Sequence, residues 1–204
     1  MDILLATNNR HKVEEISHLL SAAEFTVKSL DDFPGLPKTV EDQPTLEGNA
    51  LKKAREAFAA TGLLTLADDT GLECYYLELK PGVLSARYAG ETATYADNNS
   101  KLLSALKGVP PRRRNARFRT VIAIVGKGIE KVVEGRLEGL IAESPRGTNG
   151  FGYDPLFVPD GYAESFAELG EAVKNSLSHR GRAWAQLALW LEGRLRRIEP
   201  DSRG

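Results

Sequence analysis

The chain has 204 residues, 42% hydrophobic and 27% charged, a balance that excludes bulk disorder and allows one substantial domain or two lobes sharing a sheet. Lys and Arg number 27 against 28 Asp and Glu, a formal charge of −1, which argues against a surface devoted to nucleic-acid backbones. The single cysteine, Cys74, excludes an internal disulfide and a zinc cluster and points to a reducing, cytoplasmic compartment.

The start, Met1-Asp2 and a short apolar run, lacks the features of a signal peptide, and no stretch approaches the roughly 18 apolar residues of a membrane span. Ile3 to Ala6 reads as a buried strand ending in a Thr7-Asn8-Asn9 turn. From His11, Val13, Ile16, Leu19 and Leu20 fall at helical spacing. Phe25 to Leu30 is a second strand, and Asp31 to Pro44, with three prolines and a glycine, a surface loop. Thr45 to Ala60, rich in Leu, Ala, Lys and Glu, is predicted helical. Leu63 to Ala67 is a buried strand expected to break at Asp68-Asp69-Thr70-Gly71, with Leu72 to Leu79 continuing the sheet.

Further on, Tyr95 to Leu106 reads as a helix, Ala116 to Val125 as a long strand, and Ile129 to Glu143 as its hairpin partner across Gly126 to Gly128. Pro145 to Tyr153 is a glycine-rich loop. Ser178 to Arg197 is an amphipathic helix with Trp184, Leu187, Leu191 and Leu195 on one stripe. These elements predict an α/β fold with a mixed sheet, followed by a polar tail over 199–204.

Four segments carry possible chemistry, and each has a plainer alternative. Thr7-Asn8-Asn9-Arg10-His11-Lys12 joins a strand to a helix N-terminus, which suits a phosphate, although Asn9 alone would cap the helix. Asp68 and Asp69 repel each other unless a cation such as magnesium sits nearby. On a regular strand they point to opposite faces, so a shared site requires a turn; the alternative is a turn with Asp68 bonding its own backbone. Glu41 lies in the proline-rich loop, either solvated or completing a magnesium site. Asn49 and Lys53 share a helix face able to offer an amide and an ammonium to a phosphate chain, or simply lie at the surface.

In Gly150-Phe151-Gly152-Tyr153-Asp154, glycines leave the Phe151 ring free to stack on a base, with Asp154 available to a purine edge; a core aromatic in a tight turn is the alternative. Lys174-Asn175 and Ser178-His179-Arg180 suit anionic or carbonyl oxygens, or merely cap a helix. The basic run Arg112-Arg113-Arg114 with Arg117 and Arg119 reads as a solvated loop or a subunit-contacting face rather than an RNA site.

Taken in order, these segments resemble the inosine triphosphate pyrophosphatase family, the noncanonical purine nucleoside triphosphate pyrophosphatases or dITP/XTP diphosphatases. The resemblance rests on Ala6-Thr7-Asn8-Asn9 through Lys12, Glu41, Thr45-Leu46-Glu47-Gly48-Asn49-Ala50 with Lys53, and Leu66 to Leu72. It continues through Ser85-Ala86-Arg87-Tyr88, Gly150 to Phe157, Ala167-Glu168-Leu169, Lys174-Asn175 and Ser178-His179-Arg180. It departs where Thr70 replaces the usual serine and Gly48 a frequent glutamate.

The resemblance implies one elongated two-lobed α/β domain over 1–198 with the site in the cleft between the lobes, magnesium as cofactor, and a homodimer. It implies cleavage of ITP, dITP or XTP to the monophosphate and pyrophosphate. Thr7 to Lys12, Lys53 and Thr70 would hold the substrate, and Asp69 would accept the proton. Glu41 and Asp69, with Asp68 close by, would serve the metal. Phe151, in its Gly152-Tyr153 turn, would stack on the base, with Asp154, Lys174, His179 and Arg180 around its edge. The competing readings are a Maf-like pyrophosphatase of other base preference and a non-catalytic nucleotide-binding module.

Overall fold

The structure, a computed structural model, describes residues 2–7, 13 and 26–198. The expected first helix with its Asn8 to Lys12 segment, and the 199–204 tail, lie outside the described residues.

Strand β1 (Asp2–Leu5) pairs in parallel with β2 (Thr26–Ser29) on one side and with β3 (Leu64–Cys74) on the other, where Ile3 meets Leu64 and Leu5 meets Leu66. A two-residue strand β4 (Lys80–Pro81) returns onto the end of β3. Strand β5 (Asn115–Gly126) runs antiparallel along β3 from Thr65↔Val125 to Cys74↔Ala116. It forms a hairpin with β6 (Ile129–Ile141), turning at Gly128 with φ +67°. The short β7 (Phe157–Pro159) closes the order β2-β1-β3-β5-β6-β7.

Helix α1 (Leu46–Thr61) begins where the Thr45 hydroxyl accepts from Gly48 N, and ends at Gly62 in the left-handed region. Helix α2 (Tyr95–Ala105) opens with a Thr94/Asp97 capping box. The short α3 (Glu171–Leu177) precedes the long α4 (His179–Ile198). Neither β7 nor α3 has a sequence pattern strong enough to announce it, since each is stabilised by what it packs against.

Alternation along the strands divides the core into three clusters. Leu4, Ala67, Val121 and Ala123 face Leu46, Ala50, Ala54 and Ala57 of α1. Ile3, Leu5, Leu66, Ile122 and Ile124 face the opposite side, under Ala183, Trp184, Leu187 and Leu191 of α4. The far ends of β3, β5 and β6 carry Leu72, Phe118, Leu137 and Ile141 into a third cluster with Leu102 of α2, with Leu106 just after it, and with Phe157 and Phe166. The long strands thus run through two lobes, and the predicted two-lobed α/β fold with a mixed sheet is the one observed.

One expectation is overturned. Asp68-Asp69-Thr70-Gly71 does not break the strand: β3 continues unbroken to Cys74 and pairs with β5 throughout. The ladder satisfies the backbone groups that a turn would have used, and the Thr70 hydroxyl finds that of Thr120 at 2.8 Å. Gly71 serves close packing instead, because a Cβ there would lie 2.5 Å from the Gly82 carbonyl oxygen. The expected continuation to Leu79 stops at Cys74, followed by a 3-10 turn over Tyr75–Leu77.

Cys74 is 1% exposed, and burial pushes its thiol up to about 12 despite the charge of Arg114. Dithionitrobenzoate at about pH 8 is therefore expected to leave it unmodified in the native protein and to label one thiol per chain after unfolding. Rapid labelling of the native state would show that the lobe containing it opens locally.

Candidate active site

Strand β1 ends at Leu5, whereas β3 runs on to Cys74 and regains a partner on that edge only at Glu73, opposite β4. Between these points the edge of β3 lacks a strand partner among the described residues, and Leu72 N donates to Ser85 Oγ at 2.9 Å. A cleft of about 1630 Å³ opens along this edge. It exceeds the roughly 300–1,000 Å³ of common small-molecule pockets.

One end of the cleft is acidic. The Thr45 cap sets the register of α1, so that Asn49 and Lys53, one turn apart, both reach β3. Asn49 Nδ2 donates to Asp69 Oδ2 at 3.1 Å, and Asn49 Oδ1 accepts from Gln43 N at 3.0 Å. Lys53 Nζ lies 2.8 Å from Glu41 Oε1 and 3.7 Å from Asp69 Oδ1, so one ammonium serves both carboxylates. Arg87 reaches across from the other lobe, with Nη2 donating to the Glu41 carbonyl at 2.8 Å and Nη1 3.7 Å from Glu41 Oε2.

Burial raises the Asp69 carboxyl above the ordinary carboxylate range. Lys53 and the Asn49 hydrogen bond act against it, and Glu41 and Asp68 reinforce it. Burial would lower the Lys53 ammonium, but Asp69, Asp68 and Glu41 outweigh it and hold Lys53 charged. Because β3 is regular, Asp68 leaves the strand on the face opposite Asp69, next to Thr70, whose Oγ1 is 3.5 Å from Asp68 Oδ2. The turn expected to bring both aspartates to one face is absent, and Asp68 acts on the Lys53 side through its charge.

The other end is aromatic. Gly150 and Gly152, at φ +78° and +63°, make the turn that presents Phe151, which is 37% exposed and 6.2 Å from the Tyr95 ring. The Arg180 guanidinium and Lys174 Nζ stand 5.0 and 5.3 Å from the Phe151 centroid. Asp154 is buried beneath the turn, where its Oδ2 accepts from Phe151 N at 2.9 Å and from Lys174 Nζ. Gly152 O accepts from Asn99, and Tyr153 OH donates to Ser85 O at 2.9 Å. Ser85 therefore touches both the open edge of β3 and the aromatic turn.

His179 stacks on Phe118 at 4.8 Å. The first turn of α4 rests on Gly135 of β6, where a Cβ would lie 2.0 Å from His179 O. This contact places Arg180 at the cleft. Thr7 and Thr70 line it too, while Asn8, Asn9, Arg10, His11 and Lys12 lie outside the described residues.

The arginine run is not a solvated loop throughout. Arg114 is buried and donates to the carbonyls of Ile141, Leu106 and Ala142. Arg117 pairs with Glu73, and Arg119 with Glu47 and Glu134. Two site features escaped the sequence reading: the Asn49 amide faces a carboxylate, and Arg87 clamps the Glu41 loop. The Ser85-Ala86-Arg87-Tyr88 motif was the available signal, without a partner to interpret it.

Fold and cleft together are those of an α/β protein with an open cleft, acidic at one end and aromatic at the other. The family model of the Ham1 family matches residues 3–190, and the chain belongs to that family. A dITP/XTP pyrophosphatase of Geobacter sulfurreducens is 50% identical over 186 residues, covering 91% of this chain and 94% of the relative. One from Thermoanaerobacter sp. is 46% identical over 96% of this chain and 98% of its own length. A solved HAM1 protein from Coxiella burnetii superposes with a TM-score of 0.90 at 40% identity, covering 95% of this chain and 99% of that one. The resemblance read from the ordered motifs is thereby borne out.

Proposed function

We propose that this protein hydrolyses noncanonical purine nucleoside triphosphates, ITP, dITP and XTP, to the monophosphate and pyrophosphate, and so cleanses the nucleotide pool. The observation that carries the reading is the sharing of Lys53 by Glu41 and Asp69 in the same cleft as the exposed Phe151 ring. Relatives named dITP/XTP pyrophosphatases support the purine class.

The residues fit a magnesium ion. The donors that Glu41 and Asp69 offer are carboxylate oxygens, the hard ligands that magnesium prefers, and Lys53 bridges them within 2.8 and 3.7 Å. A small site of this kind suits a cation that keeps waters and takes substrate phosphates as further ligands. The Lys53 ammonium between the two carboxylates marks where positive charge is favoured. Glu41 and Asp69 would hold the ion, with Asp68 adding negative charge from the far face of β3. When bound, magnesium offsets the charge that develops on the phosphate oxygens and the departing pyrophosphate.

Asp69 accepts the proton of the attacking water. Thr7, the 8–12 segment and Lys53 cradle the triphosphate, and Phe151 stacks on the base with Lys174, His179 and Arg180 near it. The working form is a cytoplasmic homodimer. The described residues contain no helix long and apolar enough to cross a membrane.

A substrate panel tests the reading. Pyrophosphate release is expected from ITP, dITP and XTP with magnesium, and is expected to vanish on chelation and return with added ion. Turnover indifferent to chelator would remove magnesium from the reading. Preference for dTTP or UTP would move the protein to the Maf-like class, and tight nucleotide binding without release would leave a binding module.

A further inference from the structure

We infer that Asn49 is a positioning residue for hydrolysis: its side-chain amide fixes the plane of the Asp69 carboxylate and ties it to the strap that carries Glu41. The inference deepens the proposed function and rests on Asp69 as the proton acceptor.

Asn49 is 0% exposed, so its amide must be satisfied from within. Its orientation is unambiguous. Gln43 N can only donate, so the atom facing it at 3.0 Å is Oδ1, which leaves Nδ2 to donate to Asp69 Oδ2 at 3.1 Å. The other carboxylate oxygen, Oδ1, accepts from Thr70 N at 3.1 Å. An ionised carboxylate has about four lone-pair sites in its plane. With one donor on each oxygen, the plane is set and the remaining sites point in fixed directions.

A neutral amide suits this task. It orients the carboxylate without placing a second full positive charge beside Lys53, which already stands 3.7 Å from Oδ1. It also uses its two ends at once, with one on Asp69 and the other on the main chain two residues beyond Glu41. Only a side chain with a donor and an acceptor in one rigid plane joins the two acidic elements this way. Neither aspartate nor serine reproduces it: aspartate accepts from Gln43 but repels Asp69, and serine is too short to reach both.

The test compares N49D, N49S and D69N with the parent enzyme. It reads kcat and KM for ITP at saturating magnesium, the calorimetric Kd of the α,β-methylene analogue of ITP, and the melting temperature. Both Asn49 variants are expected to lose kcat by about 100-fold, the cost of a reacting group misplaced by about 1 Å. KM and analogue Kd should stay within about threefold. A buried amide of purely structural worth would lower the melting temperature but leave kcat of the folded fraction within about threefold, which overturns the inference. A tenfold or greater rise in KM and Kd with kcat retained also overturns it, because the amide would then serve the phosphates.

Should neither variant fold, the parent enzyme decides by NMR. One Asn49 side-chain amide proton should be shifted downfield and protected from exchange, and a freely exchanging amide refutes the contact. D69N separates the two levels of the argument. Normal turnover in D69N removes Asp69 as the proton acceptor, and the inference with it, while leaving the hydrolase reading to the substrate panel; an inert D69N beside active Asn49 variants sinks only the role of Asn49.

Discussion

Replacing Asp69 by asparagine is expected to lower kcat for ITP by about 10² to 10⁴-fold, the usual contribution of a positioned general base. The substitution keeps shape and volume, and the amide oxygen still accepts from Asn49 in place of Oδ2, but the amide nitrogen then faces the Thr70 N–H that Oδ1 accepts at 3.1 Å. Stability should change far less, because two effects oppose each other. Burial raises the Asp69 carboxyl in the folded protein, so its neutral form is the one the fold favours. The ionised form at neutral pH is a net cost to stability, which disappears only as pH falls through the raised value.

A permanently neutral side chain removes that cost, and Lys53 keeps Glu41 at 2.8 Å. D69N is thus expected to melt close to the temperature of the parent, the relieved charge offset by the unpaired Thr70 N–H, while being nearly inert. Steady-state turnover and a thermal melt on the same preparation check both halves. Retained turnover would displace Asp69 from its role. A large drop in melting temperature would show that its carboxylate is held mainly as a structural ion pair.

The second large effect concerns base choice. Arg180 stands 5.0 Å from the Phe151 centroid, and its Nε is buried without a hydrogen-bond partner among the described residues. Guanidinium groups donate and never accept. A purine lying on Phe151 with an oxo group at its edge would meet these donors, whereas the amino group of adenine would set donor against donor. Sites built around such a hydrogen bond reject the mismatched analogue by about 10⁴-fold or more.

The parent enzyme is accordingly expected to prefer ITP over ATP by about 10⁴ in kcat/KM. Arg180→Met, which keeps an apolar stem against the ring, should lose about 10²-fold on ITP and change little on ATP. Equal losses on both nucleotides would show that Arg180 supports the ring or the phosphates without reading the base.

Elements with strong local patterns are legible in the sequence. The apolar run at β1, the Leu-, Ala-, Lys- and Glu-rich α1 and the Trp184, Leu187, Leu191 stripe of α4 stand close to where apolar patterning and helix-forming composition put them. The acidic pair, the Phe151 turn and the Ser178-His179-Arg180 helix start, taken in order, also identified the family. Local pattern misled at Asp68-Asp69-Thr70-Gly71, where good turn residues sit inside an unbroken strand because β5 offers a continuous ladder from 50 residues away.

Polar residues of similar local appearance also found different fates. Asn49 turned to a carboxylate rather than a phosphate path, Asp154 went beneath the Phe151 turn, and Arg114, Arg117 and Arg119 turned inward. Residue types and their order along the chain settled the kinds of chemistry available, the family, and the elements that nucleate locally. The fold settled which donor meets which oxygen, and whether a charge lies in the cleft or under it. A side chain's direction follows from strand register and from neighbours brought together by long-range pairing, and neither is encoded within the few residues on either side.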